Sequence, residues 1–328
     1  FKGAWLSLLL AERGHEVSGF SLEPETGSLF EVANVEKFIS ESFYGDIRDR
    51  KLLHKAIEKS SPEIVIHMAA QPLVRRSYLE PSYTYEVNVN GTLHVLEAIT
   101  DQEIHTSLII TTDKVYKNIG MKNRYIESDP LGGHDPYSNS KAMADLLTQS
   151  WMDTNQHSNI AVARAGNVIG GGDISKDRLI PDLIKSYSEN RLPKLRYPEA
   201  VRPWQHVLDC LNGYTKIIDK LLAGGGSGTW NIGPNEGSFN SVSSVAELVA
   251  KSWGAKEAWS KDEGEHPIET SILMLNPMKA QKELGWTDKY NFTESVEITT
   301  EWYKDVLRGA DPRKRTIDDI REFERKNY

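Results

Sequence analysis

Short apolar runs alternate with amphipathic stretches along the first half of the chain. Apolar runs near 15–20, 42–45, 63–70, 108–112 and 160–168 are typical of strands. Helical spacing covers residues up to about Gly14 and the stretches 29–40, 49–60, 81–100 and the one after Tyr137. Because strands that alternate with helices pair in parallel, this pattern predicts an α/β fold with a doubly wound parallel sheet.

The two ends of the chain break this alternation. A first helix begins at once, with Gly3 near its start, and a helix that leads into a parallel strand needs a strand before it. We therefore expect an N-terminal strand and most of a glycine-rich loop upstream of Phe1. Residues 241–328 predict three helical segments with short strands between them, and the charged turns from about Ala310 are expected to be partly mobile.

The stretch 108–141 is the most informative part of the chain. Its apolar run ends in Thr111-Thr112-Asp113-Lys114, which is typical of a buried strand with its polar end at the carboxyl edge, where open α/β sheets build their sites. Asp135 can cap the next helix, and Pro136 suits its first turn. Tyr137 and Lys141 then share one helix face.

This tyrosine–lysine pair has a specific chemical use. A phenol is a poor base at neutral pH, but a cation one turn away lowers its pKa. The phenolate can take a proton from a sugar hydroxyl while a nicotinamide takes the hydride, and Thr112 can hydrogen-bond the same oxygen. A solvated helix pair is the alternative, since with 13 tyrosines the spacing should occur about once by chance. Its position after the Thr-Asp-Lys strand end favours a site.

Composition narrows the function classes. A chain of 328 residues with 39% hydrophobic and 26% charged residues is typical of a globular protein, and no apolar stretch reaches membrane length. The single cysteine, Cys210, excludes an internal disulfide and indicates a cytoplasmic location. A net charge of −8 argues against nucleic-acid binding, so an anionic substrate would need a local group of arginines. No ligand spacing indicates a metal.

A series of short motifs runs in order along nearly the whole chain. They are Phe1-Lys2-Gly3, Gly45-Asp46, His67-Met68-Ala69-Ala70-Gln71, Asn88-Val89-x-Gly91-Thr92, Thr112-Asp113-Lys114-Val115-Tyr116, Tyr137-x-x-x-Lys141, Arg164-Ala165-Gly166-Asn167-Val168 and Asn231-Ile232-Gly233. With these motifs the chain resembles the extended short-chain dehydrogenase/reductases that modify nucleotide sugars. The resemblance implies a Rossmann-like NAD-binding domain over 1–168 plus about 205–235. A smaller mixed α/β lobe for the nucleotide sugar would cover 169–204 plus 236–328.

Longer matches narrow the resemblance to the dehydratase branch that acts on CDP-glucose. They are residues 67–75, Asp135-Pro136-Tyr137-Ser138-Asn139-Ser140-Lys141, residues 164–173 and Arg202-Pro203-Trp204-Gln205-His206-Val207. Many 4,6-dehydratases carry Asp-Glu where this chain has Asp113-Lys114, and some UDP-N-acetylglucosamine dehydratases also carry Asp-Lys. Alternatives therefore stay open: a dehydratase or 4-epimerase for a GDP-, dTDP- or UDP-sugar, or a non-catalytic NAD- or sugar-nucleotide-binding module.

The family implies catalytic roles for Thr112, Asp113, Lys114, Tyr137 and Lys141. Tyr137 would take the proton of the glucose 4-hydroxyl. Asp113 is the candidate acid for the C6 hydroxyl, and Lys114 is the candidate base at C5, which requires an uncharged amine. An ion pair with Asp113 is the alternative role for Lys114.

The resemblance also implies a set of NAD contacts. They are Gly3, Asp46, Ile47, Ala69, Ala70, Gln71, Asn88, Tyr137 and Lys141. Asp46 would accept a hydrogen bond from the adenine amine; its alternative is a helix or turn cap. Ala69 and Ala70 are small where a pyrophosphate would approach, although plain close packing explains them equally well. The strand that ends near Glu23 carries no arginine for a 2′-phosphate, which favours NAD over NADP.

The expected substrate contacts form a separate set. They are Arg75, Asn167, Arg178, Arg202 and His206. Guanidinium groups match diphosphate oxygens, although any one arginine alone is more often a solvated surface residue. In relatives the helices near 81–100 and 136–155 form a four-helix bundle, so the resemblance implies a homodimer or homotetramer. The product, CDP-4-keto-6-deoxyglucose, would feed the dideoxysugars of bacterial surface polysaccharide (O-antigen).

Overall fold

The computed structural model describes residues 1–118, 124–155, 159–264 and 273–326. The α-helices in these ranges are α1 (Lys2–Glu12), α2 (Leu29–Val32), α3 (Arg50–Ser60), α4 (Val74–Leu79), α5 (Pro81–Tyr85), α6 (Gly91–Asp101), α7 (Pro136–Thr154), α8 (Leu179–Ser188), α9 (Val207–Leu222), α10 (Val242–Trp253), α11 (Met278–Leu284), α12 (Phe292–Leu307) and α13 (Pro312–Arg325).

The strands of the described residues are short. They are β1 (Ser18–Ser21), β2 (Glu41–Tyr44), β3 (Ile64–His67), β4 (Thr106–Ile110), β5 (Asn159–Ala165), β6 (Val168–Ile169), β7 (Lys194–Leu195), β8 (Val201–Pro203), β9 (Gln205–His206), β10 (Gly228–Ile232), β11 (Phe239–Ser241) and β12 (Ser260–Lys261). A π-helical segment, Glu86–Asn90, joins α5 to α6.

A four-stranded parallel sheet, in the order β10-β5-β4-β3, forms the centre of the molecule. All five residues of β4 are buried because β4 has a strand on each side and helices against its faces. Strands β1 and β2 form a second, two-stranded parallel sheet. The predicted parallel α/β fold is confirmed. The strand expected upstream of Phe1 stays a prediction.

Some predicted elements differ from the observed ones. The single helix expected over 29–40 is two short pieces, α2 and a 3-10 turn, Val35–Phe38. Asn34 separates them because its φ of 49° lies in the left-handed region, which ends a right-handed helix. Four helices, α10 to α13, stand where three helical segments were predicted after residue 241.

The C-terminal helix is packed rather than loosely attached. Ile320 and Phe323 of α13 are each 1% exposed and join the main hydrophobic core. Two ion pairs, Arg13–Glu324 at 2.8 Å and Arg321–Glu12 at 2.9 Å, connect α13 to α1. The described part of the segment after Ala310 is therefore a docked helix, and the expected mobility finds no support there.

One large hydrophobic core runs through both predicted lobes. It includes Leu108 and Ala163 of the central sheet, and also Trp302 of α12 and Phe323 of α13. Gly171 packs so closely on Trp302 that an added Cβ would come within 2.0 Å of the indole ring. The division of the chain into two domains stays a prediction.

A buried ion pair fixes α7 against the sheet. Arg164 of β5 donates two hydrogen bonds to Asp145 of α7, Nε to Oδ2 at 2.8 Å and Nη2 to Oδ1 at 2.7 Å. The Thr111 hydroxyl donates to Asp145 Oδ2 at 2.9 Å, and Gln149 Nε2 donates to Oδ1 at 2.7 Å. The two charged side chains are at most 1% exposed. Every oxygen of the carboxylate is therefore satisfied without water.

We predict that Asp145→Asn lowers the free energy of unfolding by about 3–5 kcal/mol, because it leaves the Arg164 guanidinium buried without a counter-charge. Urea denaturation followed by tryptophan fluorescence measures this value. The control is Glu97→Gln, which breaks an exposed pair with Arg50 and should cost less than about 1 kcal/mol. An Asp145→Asn protein as stable as the wild type would contradict the role given to this pair.

Candidate active site

The candidate site lies where β4 ends and α7 begins. After Ile110 the chain leaves the sheet through Thr111 and Thr112 into a short 3-10 turn. Asp135 caps α7, since its Oδ1 accepts the Ser138 N–H at 2.9 Å, as the sequence predicted. These two backbone segments bring Thr112, Asp113 and Tyr137 together.

Tyr137 sits in the first turn of α7 and is 9% exposed. Its backbone N–H donates to Ser77 Oγ at 3.1 Å, which ties the start of α7 to α4. Burial raises the pKa of Tyr137 to about 12, while a hydrogen bond with the Thr112 side chain acts to lower it. Burial thus outweighs the effect of the Thr112 hydrogen bond on the pKa of Tyr137, and the predicted contact of Thr112 with a sugar oxygen stays a prediction.

Lys141 is 5% exposed and points at the sheet. Its Nζ donates to the Ile110 carbonyl oxygen at 2.8 Å. Burial lowers the pKa of Lys141 to about 8, and the charge of Lys2 acts in the same direction. In this structure Lys141 Nζ is bonded to the strand end and burial raises the pKa of Tyr137; the expectation that Lys141 lowers that pKa stays a prediction.

Asp113 is the most unusual carboxylate of the site. It is 1% exposed; Oδ1 accepts the Thr112 hydroxyl at 2.9 Å, and Oδ2 has no hydrogen-bond partner among the described residues. Burial raises its pKa, and the charges of Lys114 and Arg202 oppose that shift. A carboxyl group whose pKa is raised in this way can hold a proton and donate it. Lys114 itself is half-buried beside it.

Asp46 and Ile47 follow β2, at the carboxyl end of its sheet. Asp46 caps a turn rather than a helix, since its Oδ1 accepts the Arg48 N–H at 2.9 Å. Both its oxygens also accept hydrogen bonds from the Arg48 guanidinium, Oδ2 at 2.8 Å from Nη2, and these bonds lower the pKa of Asp46. Its side chain keeps 28% exposure. Ile47 is buried against Gly91, where an added Cβ would come within 2.7 Å of Ile47 Cγ2.

Gln71 and Asn88 hold the loop after β3 in place. The Gln71 N–H donates to Asn88 Oδ1 at 2.8 Å, and Asn88 Nδ2 donates to the Gln71 carbonyl at 3.1 Å and to Ser140 Oγ at 2.9 Å. Both hydrogens of the Asn88 amide are therefore used within the protein. Both residues position the loop that carries Ala69 and Ala70 against α7.

The loop after β3 and the start of α1 suit a dinucleotide. Ala69 and Ala70 are half-buried, so the backbone there is open to a close approach. A Cβ added to Gly3 would meet nothing within 4 Å. The N-terminus of α1 thus presents open backbone where an anion could bind. With the carboxylate of Asp46, these groups fit the adenine and pyrophosphate portions of NAD.

The predicted substrate residues divide into two groups. Arg75 and Arg178 are partly exposed and paired, Arg75 Nη1 with Asp177 Oδ1 at 2.7 Å and Arg178 Nη1 with Asp173 Oδ2 at 3.0 Å. Arg202 is 5% exposed, and its charge acts on Asp113. Asn167 is half-buried, and its carbonyl accepts the Gln205 N–H at 3.1 Å.

His206, predicted as a substrate contact, lies at the start of α9. It is 1% exposed and caps α9, where its Nδ1 accepts the Leu208 N–H at 3.3 Å. Its ring packs edge-on against Trp5 and Tyr290, and burial lowers its pKa to about 3. In this structure His206 is a buried, uncharged helix cap, and its predicted contact with the substrate stays a prediction.

Two features were not predicted from the sequence. One is Asp145, which holds α7 to the sheet, and the other is the pairing of Arg178 with Asp173 and of Arg75 with Asp177. Asp145 follows Lys141 by four residues, so the helix periodicity could have placed it on the same face. The aspartate pairing has no comparable signal, because Arg75 and Asp177 are distant in sequence.

Comparisons with known proteins agree with this geometry. The family described as GDP-mannose 4,6 dehydratase matches residues 1–299. The chain is 42% identical over 323 residues to the CDP-glucose 4,6-dehydratase of Salmonella typhimurium, covering 95% of this chain and 90% of that protein. It is 28% identical to the dTDP-glucose 4,6-dehydratase of Xanthomonas campestris, covering 92% and 90%. The predicted family resemblance is confirmed.

Solved structures show the same fold. The dTDP-glucose 4,6-dehydratase from Bacillus anthracis in complex with NAD superposes with a TM-score of 0.80 at 24% identity, over 95% of this chain and 96% of that one. The UDP-glucose 4-epimerase from Thermotoga maritima with UDP-glucose gives 0.83 at 21% identity, over 94% and 96%. At these identities the likeness establishes the Rossmann-type fold.

The described residues contain neither a membrane-spanning helix nor a metal-binding group of side chains. Among residues 1–118, 124–155, 159–264 and 273–326, no helix is long and apolar enough to cross a bilayer. Within the same ranges no three His, Cys, Asp or Glu side chains are grouped to hold a metal ion.

We predict that Tyr137 stays protonated at neutral pH in the protein without substrate, because burial raises its pKa to about 12. The measurement is a pH titration of ring-labelled tyrosine by carbon NMR, with Tyr137→Phe to assign the signal. The Tyr137 resonance should not move between pH 6 and about 10. A Tyr137-dependent change centred near pH 7 would show that the phenolate is already formed.

Proposed function

The chain belongs to the GDP-mannose 4,6-dehydratase family of extended short-chain dehydrogenase/reductases, and from this premise we propose that it is a CDP-glucose 4,6-dehydratase. The reaction converts CDP-glucose to CDP-4-keto-6-deoxyglucose and water. The observation that carries the proposal is 42% identity, over 95% of the chain, to a protein with that activity. The cluster of Thr112, Asp113, Tyr137 and Lys141 supplies the chemical groups that the reaction needs.

NAD is the proposed cofactor, and when bound it accepts the hydride of C4 and returns it to C6. Gly3, Ala69 and Ala70 leave open backbone for its pyrophosphate. Asp46 offers a partly exposed carboxylate for the adenine amine. Gln71 and Asn88 contribute by fixing the loop between these groups.

Tyr137 takes the proton of the glucose 4-hydroxyl during oxidation. In the structure its pKa is raised to about 12, so the phenol must first release its own proton to solvent, and positive charge close to its oxygen favours that loss. Lys141 lies one helical turn away and holds the Ile110 carbonyl. The Thr112 side chain hydrogen-bonds Tyr137, which favours the phenolate and orients the ring.

Elimination of water needs an acid at C6 and a base at C5. Asp113 is the proposed acid, because burial raises its pKa and leaves Oδ2 free of partners in the described residues. Its proton joins the C6 hydroxyl, which leaves as water. Lys114 is the proposed base, since it adjoins Asp113 and its uncharged amine would accept the C5 proton. Electrons of the broken C5–H bond form the double bond that expels the hydroxyl. The proton held by Lys114 would return to C5 when the hydride is returned to C6, which restores the amine and completes the product.

Two alternatives predict different behaviour. A 4-epimerase needs no group to expel water, so the buried Asp113 with its raised pKa favours a dehydratase. A non-catalytic binding module would not need Tyr137 and Lys141 to be held against the end of β4, and their retention favours an enzyme. The assignment of CDP-glucose, rather than another nucleotide sugar, is supported by the sequence similarity alone.

The protein is proposed to act as a homodimer in the cytoplasm. Met143 and Leu146 of α7 are 43% and 52% exposed, which leaves apolar surface on the helix expected to pair between subunits. Light scattering at micromolar concentration should give twice the 37.0 kDa of the chain, or four times for a tetramer. A monomeric mass would refute the dimer. The product is proposed to feed dideoxysugar synthesis for surface polysaccharide (O-antigen).

Substrate identity is tested with a panel of donors. CDP-, dTDP-, GDP- and UDP-glucose, GDP-mannose and UDP-N-acetylglucosamine are incubated separately with the NAD-loaded protein, and 4-keto-6-deoxy products are assayed. We expect product from CDP-glucose. Product only from another donor would keep the reaction and refute the nucleotide assignment, whereas no product from any donor would favour the epimerase or the binding module.

We predict that Lys114→Met still oxidises C4 but eliminates water at least about a hundredfold more slowly, because the base at C5 is lost. Single-turnover absorbance at 340 nm should show NADH that accumulates and decays slowly. Tyr137→Phe is the matched comparison and should form no NADH. If Lys114→Met dehydrates CDP-glucose at the wild-type rate, Lys114 is not the base.

A further inference from the structure

Three arginines and two aspartates from distant parts of the chain form one cluster. Arg75 belongs to α4, Arg178 precedes α8, and Arg196 follows β7. Asp177 Oδ1 lies 2.7 Å from Arg75 Nη1 and 3.6 Å from Arg196 Nη1, and Asp173 Oδ2 lies 3.0 Å from Arg178 Nη1. We call this group the arginine–aspartate cluster.

The cluster adjoins the candidate active site. Arg75 belongs to α4, and Ser77 of the same helix accepts the Tyr137 backbone N–H at 3.1 Å, so the cluster adjoins the start of α7. The cluster therefore borders the place where the sugar would be oxidised. A nucleotide sugar that puts its hexose at Tyr137 carries its diphosphate within a few ångströms of that hexose, and guanidinium groups are the usual protein partners of such oxygens.

The two aspartates of the cluster are held differently. The Asp173 side chain is 7% exposed, and its Oδ1 also accepts the Ser175 N–H at 3.0 Å. This contact fixes Asp173 and keeps Arg178 in place. The Asp177 side chain is 41% exposed, and its partner Arg75 is 50% exposed. Ion pairs this exposed contribute little net stability, so another anion can replace Asp177.

We propose that Asp177 is an internal counter-ion, which occupies Arg75 and Arg196 until the diphosphate of the nucleotide sugar displaces it. This inference rests on the proposed function, because it assigns the ligand diphosphate to the same site. Two anions cannot share these guanidinium groups without repulsion. The carboxylate thus lowers the affinity for any diphosphate and keeps the arginines paired in the free enzyme.

Asp177→Asn is a clean test of this role. Asp177 has a φ of 61°, in the left-handed region, and asparagine tolerates that conformation as well as aspartate does. The substitution therefore removes the charge and keeps the backbone. Glu80→Gln is the matched control, because Glu80 forms an equally exposed pair with Arg76, at 2.9 Å and also on the α4 segment.

The experiment uses NAD-loaded protein at low salt. The KM for CDP-glucose and the Kd values for CDP and for cytidine are measured for the wild type and both variants. Asp177→Asn should lower the KM and the Kd for CDP about three- to fivefold, the factor expected for loss of an exposed competing pair. Cytidine affinity should not change. Since exposed charges are screened by salt, the gain should shrink at 0.5 M NaCl, an ionic strength with a Debye length of about 4 Å.

The results that would overturn this inference differ from those that would overturn the proposed function. An unchanged or weaker affinity of Asp177→Asn for CDP would overturn the proposal, as would an equal gain for cytidine, an equal gain in Glu80→Gln, or a gain that persists at high salt. Wild-type turnover is followed in the same assay. Failure of the proposed function would appear there as an absence of product from CDP-glucose, whereas failure of this inference would appear in the CDP affinities.

Discussion

A buried pair of opposite charges, Arg164 and Asp145, holds the helix that carries Tyr137 to the sheet. Both side chains are essentially inaccessible, and the carboxylate also receives the hydroxyl of Thr111 at the end of β4. The guanidinium reaches further, with Nη1 donating to Tyr116 Oη at 2.9 Å and to the Glu127 carbonyl at 2.9 Å. If α7 moved, Arg164 and Asp145 would separate, and a buried charge without its partner strongly destabilises the folded protein. The network therefore fixes the position of α7 relative to β4 and β5.

Because α7 is fixed in this way, the ionisable side chains of the site stay buried, and burial shifts their pKa values. Tyr137 and Asp113 are buried where the neutral form is favoured, so the pKa of each is raised. Lys141 is buried too, and the same desolvation lowers its pKa to about 8. All three groups are thus biased toward their uncharged forms in the free protein. Tyr137 must therefore lose its proton before it can act as the base. Arg202 is buried as well, whereas Arg75 and Arg178 keep 50% and 35% exposure, where charge is tolerated.

Much of this arrangement could be predicted from the sequence. The apolar run of β4 and its polar end are direct consequences of a strand buried on both faces, and the Asp135 cap and the Tyr137–Lys141 spacing are local properties of one helix. The break at Asn34 was missed because a left-handed residue leaves no mark in the hydrophobic pattern. Spacing put Lys141 on the face of Tyr137 but could not tell that its Nζ points to Ile110. The packing of His206 could not be predicted from the sequence, because its partners Trp5 and Tyr290 come from opposite ends of the chain.

The central claim is that one site oxidises C4, eliminates water and reduces C6 without releasing the hydride. The most direct measurement uses CDP-glucose that carries deuterium at C4, with the product analysed by mass spectrometry and proton NMR. The account predicts that the deuterium appears at C6 of the 4-keto-6-deoxy product, in the same molecule that carried it at C4. Deuterium that remains at C4, as in epimerisation, or that is lost to solvent would contradict it.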